Sequence, residues 1–247
     1  MTSHAQHLGG RIYGGYSIPG NFGQGGQQQI AEVMSAEPVT RAETVIEQPA
    51  HELAGESAID LRRENLNIGI DYVRLDPTAY VYPPVLEAIK QADAIIMGPG
   101  DIYTSVLPNL LVEDVSEAIL ASTAIKIHVC NLMTKPGESD GFRASDFVRL
   151  LMAYLGTTEP LDYLLFNDAP YPQRLLQRYA SDGQLPVELD LEGCQQVVRR
   201  VVTRPMLAAG VYLRHDPLAL GSAIMEILGD NCTTQNALLA GVENQGS

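Results

Sequence analysis

Residues 94–132 read AIIMGPGDIYTSVLPNLLVEDVSEAILASTAIKIHVCNL, and this stretch decides the fold. Its first four residues, Ala94–Met97, are wholly apolar and stop at Gly98-Pro99-Gly100, as a short strand buried on both faces would. Leu110–Ala121 then places Leu111, Val115, Ala118 and Ile119 at helical spacing. Ile125–Leu132 returns to a run rich in β-branched residues, so the whole predicts two neighbouring parallel strands joined by a right-handed helical crossover.

The alternation continues outward in both directions. Upstream, Ile68–Leu75 has strand composition, and Pro83–Ala92 opens with prolines tolerated in a first helical turn. Downstream, Ser145–Leu155 predicts a helix, Leu161–Phe166 a strand, Pro172–Tyr179 a helix and Val197–Val202 a late strand. Asp216 as N-cap and Pro217 at the first helical position introduce a closing helix over Pro217–Leu228. The expected class is α/β: a Rossmann-like, doubly wound, mostly parallel sheet. Residues 51–228 are expected to form one domain. Residues 1–50, whose first thirty are rich in Gly and Gln, predict a poorly ordered arm, and 229–247 a flexible tail.

A net charge of −14 argues against partners held by phosphate neutralisation, which excludes nucleic acid and anionic membrane as first readings. A small phosphorylated ligand stays compatible, because backbone N–H groups can hold an anion whatever the global charge. Cys130, Cys194 and Cys232 make an odd, widely spaced set, and the five histidines show no paired-ligand spacing, so neither a disulfide framework nor a structural metal is expected. No apolar run reaches the length of a membrane span and no signal peptide is visible, which predicts a cytoplasmic protein.

In open parallel sheets, ligands bind beyond the carboxyl ends of the strands, so the segments just after Ile96 and Leu132 are the candidate site. In the first, Gly98 and Gly100 let backbone approach a ligand, and Thr104 and Ser105 offer hydroxyl and N–H groups to a phosphate. An ordinary strand-to-helix turn with a capping hydroxyl reads the same way. In the second, Asn131, Thr134, Glu138 and Asp140 follow a buried strand; Glu138 and Asp140 could be a general base or hold Mg2+ at a ligand phosphate, or be solvated acids in a Pro-Gly turn. Arg214-His215-Asp216 is a third candidate, with Arg214 and His215 meeting an anionic group, although Asp216 capping the last helix and His215 packing on the surface fits equally. His128 and Cys130 alternate within a strand, so at least one of them should point into the core.

The strings ADAIIMGPGDIYTSVLPNLLVEDVSEAI (92–119) and KIHVCNLMTKPGESDGFRASDFV (126–148) resemble the signature segments of the CofD/YvcK-like family, in its YvcK-type branch of gluconeogenesis factors. GESAI (55–59), VRLDP (73–77) and LRHDPLALGSAIMEIL (213–228) are similar to that family at corresponding places. The resemblance implies a cytoplasmic nucleotide-sugar-binding regulator of carbon-source-dependent cell shape and envelope growth. The related branch implies a 2-phospho-L-lactate transferase of coenzyme F420 synthesis, and an inactive fragment is a third alternative. It places the ligand at Gly98, Pro99, Gly100, Asp101, Tyr103, Thr104, Ser105 and Asn109 of one loop, and at Asn131, Thr134, Gly137, Glu138 and Asp140 of the other. No catalytic residue and no metal ligand is assigned, and a homo-oligomer is left open. The family's opening strand, its GGGTG-type turn and its Asp-Asp-Gly-Gly-Ser segment have no counterpart in residues 1–50, so the fold is expected to be N-terminally truncated, with one wall of the ligand crevice missing.

Overall fold

In a computed structural model, residues 11–16, 51–55, 59 and 70–243 are described. Four strands, β4 (Ala94–Met97), β5 (Ile125–Val129), β6 (Leu161–Asn167) and β7 (Val198–Arg204), form a parallel sheet in the order β4-β5-β6-β7. The register pairs Met97 with His128, His128 with Leu164 and Leu164 with Val201, so the carboxyl ends of all four strands lie along one edge.

Side-chain alternation across the central strands divides the core into two layers. Ile127, Val129, Tyr163 and Leu165 face α7 (Pro217–Glu243), meeting Ala223 and Ile227. Cys130 and Leu164 face the opposite way, into the larger cluster with Leu107, Phe147, Leu151 and Cys194. That cluster is roofed by α1 (Pro83–Gln91), α2 (Leu107–Leu110), α3 (Val115–Ala121), α4 (Ala144–Leu155) and α6 (Leu191–Val197). α4 owes its sharp limits to local chemistry. Asp146 Oδ2 accepts from the Arg143 N–H at its start, and Gly156 ends it at φ 74°, where Thr157 N donates back to the Met152 carbonyl. A third, smaller cluster joins Leu132, in the loop after β5, to Leu213 and to Leu175 of α5 (Gln173–Ser181). The β4 and β5 ends are left for the two long loops.

The expected α/β class and its strand–helix alternation are found, with differences in detail. β4 is an edge strand in the described sheet: Ile96 is 44% exposed and only Met97 is buried, so the expected burial of Ala94–Met97 on both faces is corrected. The four strands follow one another in sequence order, with α7 packed on one face of the sheet and the other cluster's helices on the opposite face, as expected of a doubly wound sheet. The strand expected over Ile68–Leu75 appears as β3 (Tyr72–Asp76), with 68–69 outside the described residues. It lies in a separate antiparallel sheet, β2-β1-β3, with β1 (Arg11–Tyr16) and β2 (His51–Ala54). Within the segment expected to be an arm, Arg11–Tyr16 forms β1, whose backbone groups pair with those of β2 and β3; the rest of 1–50 lies outside the described residues. Finally, α7 runs as one helix to Glu243, into the segment expected to be a flexible tail, and α6 was not foreseen.

Candidate functional site

The turn after β4 is built around Gly98. Its φ is 87°, a left-handed conformation, and a Cβ there would lie 2.9 Å from the Val129 carbonyl oxygen. The Gly98–Pro99 peptide is cis. Gly100 is clamped across the loops by Asn131, whose Nδ2 donates to the Gly100 carbonyl at 3.0 Å while its Oδ1 faces the Gly100 N–H at a longer 3.5 Å. From Asp101 the chain enters a π-type turn over Ile102–Val106 and continues into α2.

That turn sorts the expected residues. Tyr103 is 3% exposed and its hydroxyl donates to the Ile70 carbonyl, so its expected ligand contact is corrected to a core role. Thr104 is buried, and its Oγ1 has no hydrogen-bond partner among the described residues. Ser105 and Pro99 are exposed. Asn109 donates back to the Ser105 carbonyl at 2.7 Å and serves to close the helical turn.

The second loop meets the first through a cation that the sequence reading missed. Lys135 Nζ lies 2.8 Å from Asp101 Oδ2 and 2.9 Å from Glu138 Oε1. The Glu138 side chain is 2% exposed and that of Asp101 44%, so the ammonium joins an inner carboxylate to an outer one. A Lys two residues before the Pro-Gly turn is an unremarkable surface signal; only the pairing across 34 positions of sequence reveals it. Asp140 Oδ2 accepts instead from the Gly137 N–H, and Gly137 turns at φ 81°. Glu138 and Asp140 thus hold different partners. Thr134 is structural: its N–H donates to the Leu185 carbonyl and its Oγ1 accepts from the Leu185 N–H.

Two histidines stand behind these loops. His128 is 1% exposed and its Nδ1 lies 3.0 Å from the Met97 carbonyl. A carbonyl only accepts, so Nδ1 carries the proton and Nε2 is left as a buried acceptor without a partner among the described residues. Burial pushes its pKa down to about 4, against the raising effect of the Met97 bond, and the ring is neutral at pH 7. His215 is half-buried rather than on the surface; burial lowers its pKa, opposed by a hydrogen bond to the Cys130 backbone, and its Nε2 is also buried without a partner among the described residues. Asp216 does cap α7 as expected, accepting from Leu218 N and Ala219 N at 2.9 and 2.8 Å. Arg214 lies 5.4 Å from the Tyr212 ring and is exposed.

The structure therefore brings Gly98–Asp101, Asn131, Lys135 and Glu138 together at one edge of the sheet, as two parallel strands ending side by side require. A cleft of about 470 Å3 opens elsewhere, beside Arg143, Arg149, Asp190 and Gln196 at the starts of α4 and α6. Arg149 there is engaged with Ser145, Asp146 and Gln196.

A family model described as 2-phospho-L-lactate transferase CofD matches residues 31–207. A Thermotoga maritima protein named provisionally as a gluconeogenesis factor is 42% identical over 162 residues, covering 63% of this chain and 50% of that protein. The gluconeogenesis factor of Bacillus subtilis is 33% identical over 147 residues, covering 59% of this chain and 46% of that protein. The chain spans about half the length of the curated relatives it matches. A crystal structure of a Bacillus halodurans protein of the UPF0052 family superposes with a TM-score of 0.67 at 30% identity, covering 87% of this chain and 59% of that one. Among the described residues, no helix is long and apolar enough to cross a membrane.

Proposed function

Because this chain belongs to the CofD family, we propose that the carboxyl edge of its sheet binds a phosphorylated small molecule of the nucleotide-sugar type. In this reading the protein acts as a regulator of carbon-source-dependent cell shape and envelope growth. The observation that carries the binding reading is the junction of the two loops. A glycine turn is locked to its neighbour by Asn131 and Lys135, and Thr104 Oγ1 in the turn that follows and His128 Nε2 in β5 are buried with no partner among the described residues. Buried polar atoms are normally satisfied, and a ligand is one way to satisfy them. The regulator role leans on the gluconeogenesis-factor name carried by relatives at 32–42% identity. Mg2+ in this reading arrives with the ligand's phosphates, since Glu138 and Asp140 already have partners.

The second reading is phosphoester transfer of the 2-phospholactate type, favoured by the description of the matching family model. Calorimetric titration separates the two. Saturable binding of a UDP-sugar, with restored growth of a gluconeogenesis-factor-deficient bacterium on a gluconeogenic carbon source, is the expected result. Binding of GDP with transfer of a phospholactyl group to a deazaflavin would replace it with the transferase. No saturable binding of either nucleotide up to millimolar concentration would overturn both.

A further inference from the structure

We propose that Lys135 is the phosphate-binding cation of this site, and that Asp101 is an internal stand-in for the phosphate, which selects a multiply charged diphosphate over singly charged ligands. The inference rests on the phosphorylated-ligand reading above and deepens it.

The two carboxylates on Lys135 are not equivalent. Glu138 is 2% exposed, and a buried carboxylate keeps its charge only beside a cation, so this contact fixes the ammonium in place from the inside. Asp101 is 44% exposed and meets the same ammonium from the solvent side, at 2.8 Å. An ion pair that open to water contributes little, so a better anion can displace it.

Asp101 also occupies a place where its side chain has another use. It is the N-cap residue of the Ile102–Val106 turn, yet its carboxylate caps nothing there and is committed to Lys135 instead. Asp at an N-cap ordinarily accepts from the first N–H groups of its helix. A carboxylate displaced from Lys135 therefore has a favourable position within its own turn.

Charge decides which ligands can displace it. A carboxylate ligand would exchange one single negative charge for another and gain nothing. A diphosphate, as in a nucleotide sugar, brings two negative charges and several acceptor oxygens to the same ammonium. Asp101 thus acts as a threshold: it excludes monoanions and yields to diphosphate.

The test uses the full chain and inorganic pyrophosphate as probe, with acetate as the monoanion, read by calorimetry. Asp101→Asn removes the competing charge while preserving shape, and should tighten pyrophosphate binding about tenfold and admit acetate, on the scale of losing one facing like charge near a surface ion pair. Lys135→Met should abolish pyrophosphate binding. Since that change strands the Glu138 charge, the double variant Lys135→Met, Glu138→Gln is measured beside it, and must also fail to bind while keeping the circular-dichroism spectrum of the parent. Unchanged or weakened pyrophosphate binding in Asp101→Asn overturns the inference, as does retained binding in the double variant. If UDP-sugar still binds the parent in either of those cases, the proposed function stands and only the role given to Lys135 and Asp101 falls.

Discussion

At Gly98, the residue type was read from sequence as room for a ligand, but the structure gives a nearer reason. The left-handed φ of 87° and the 2.9 Å approach to the Val129 carbonyl exclude a side chain whether or not anything binds. A Gly98→Val change would therefore break the turn itself, and loss of binding in that variant would not locate a ligand. His128 carries a cleaner prediction. Its pKa is lowered from 6.5 to about 4 chiefly by burial, so between those values the unfolded chain takes up a proton that the native state refuses. The contribution is present above pH 6.5 and is lost as pH falls through that window to about 4, amounting to about 3 kcal/mol at 1.36 kcal/mol per unit. His128→Asn, which keeps an N–H donor but does not titrate, should flatten this part of the pH dependence of the urea midpoint. His215 and Asp140 titrate in both proteins, so the difference between the two curves isolates His128. Superimposable curves would show that His128 is not held neutral by burial.

Two helical elements that begin with aspartate show how local and distant interactions compete. Asp216 precedes Pro217 and accepts from two N–H groups of α7, as its sequence context alone predicts. Asp101 opens the Ile102–Val106 turn in a similar position and makes no cap, because Lys135, distant in sequence, is a charged partner within reach. Asp216→Ala should therefore lower global stability by about 1 kcal/mol in urea denaturation, the scale of a lost N-cap. A change below the error of the measurement would mean that the packing of α7 on the sheet, through Ala223 and Ile227, sets its start without the cap.

For the whole molecule, the position of each strand in the sheet sets its protection. β5 and β6 have a strand on each side and both faces packed, with Ile127, Val129, Leu164 and Leu165 at 0% exposure, while β4 has β5 on one side only among the described strands. Backbone amides of Ile127–Val129 and Leu164–Leu165 should exchange with solvent only on global unfolding, and those of Ala94–Ile96 substantially faster, by hydrogen-exchange mass spectrometry. Equal protection of β4 would mean that its outer edge is covered in solution. The sequence by itself determined the alternation of strands and helices from Pro83 to Leu228 apart from α6, the turn at Gly98 and the capped start of α7, because run length, spacing and Gly, Pro or Asp at element ends act between near neighbours. Only the tertiary structure decided that β4 lies at an edge, that Tyr103 is buried while Ser105 faces out, and that Lys135 joins Glu138 to Asp101. Those outcomes depend on which strands become neighbours and which charges meet across the gap between them, and neither distance is written in the spacing of residues along the chain.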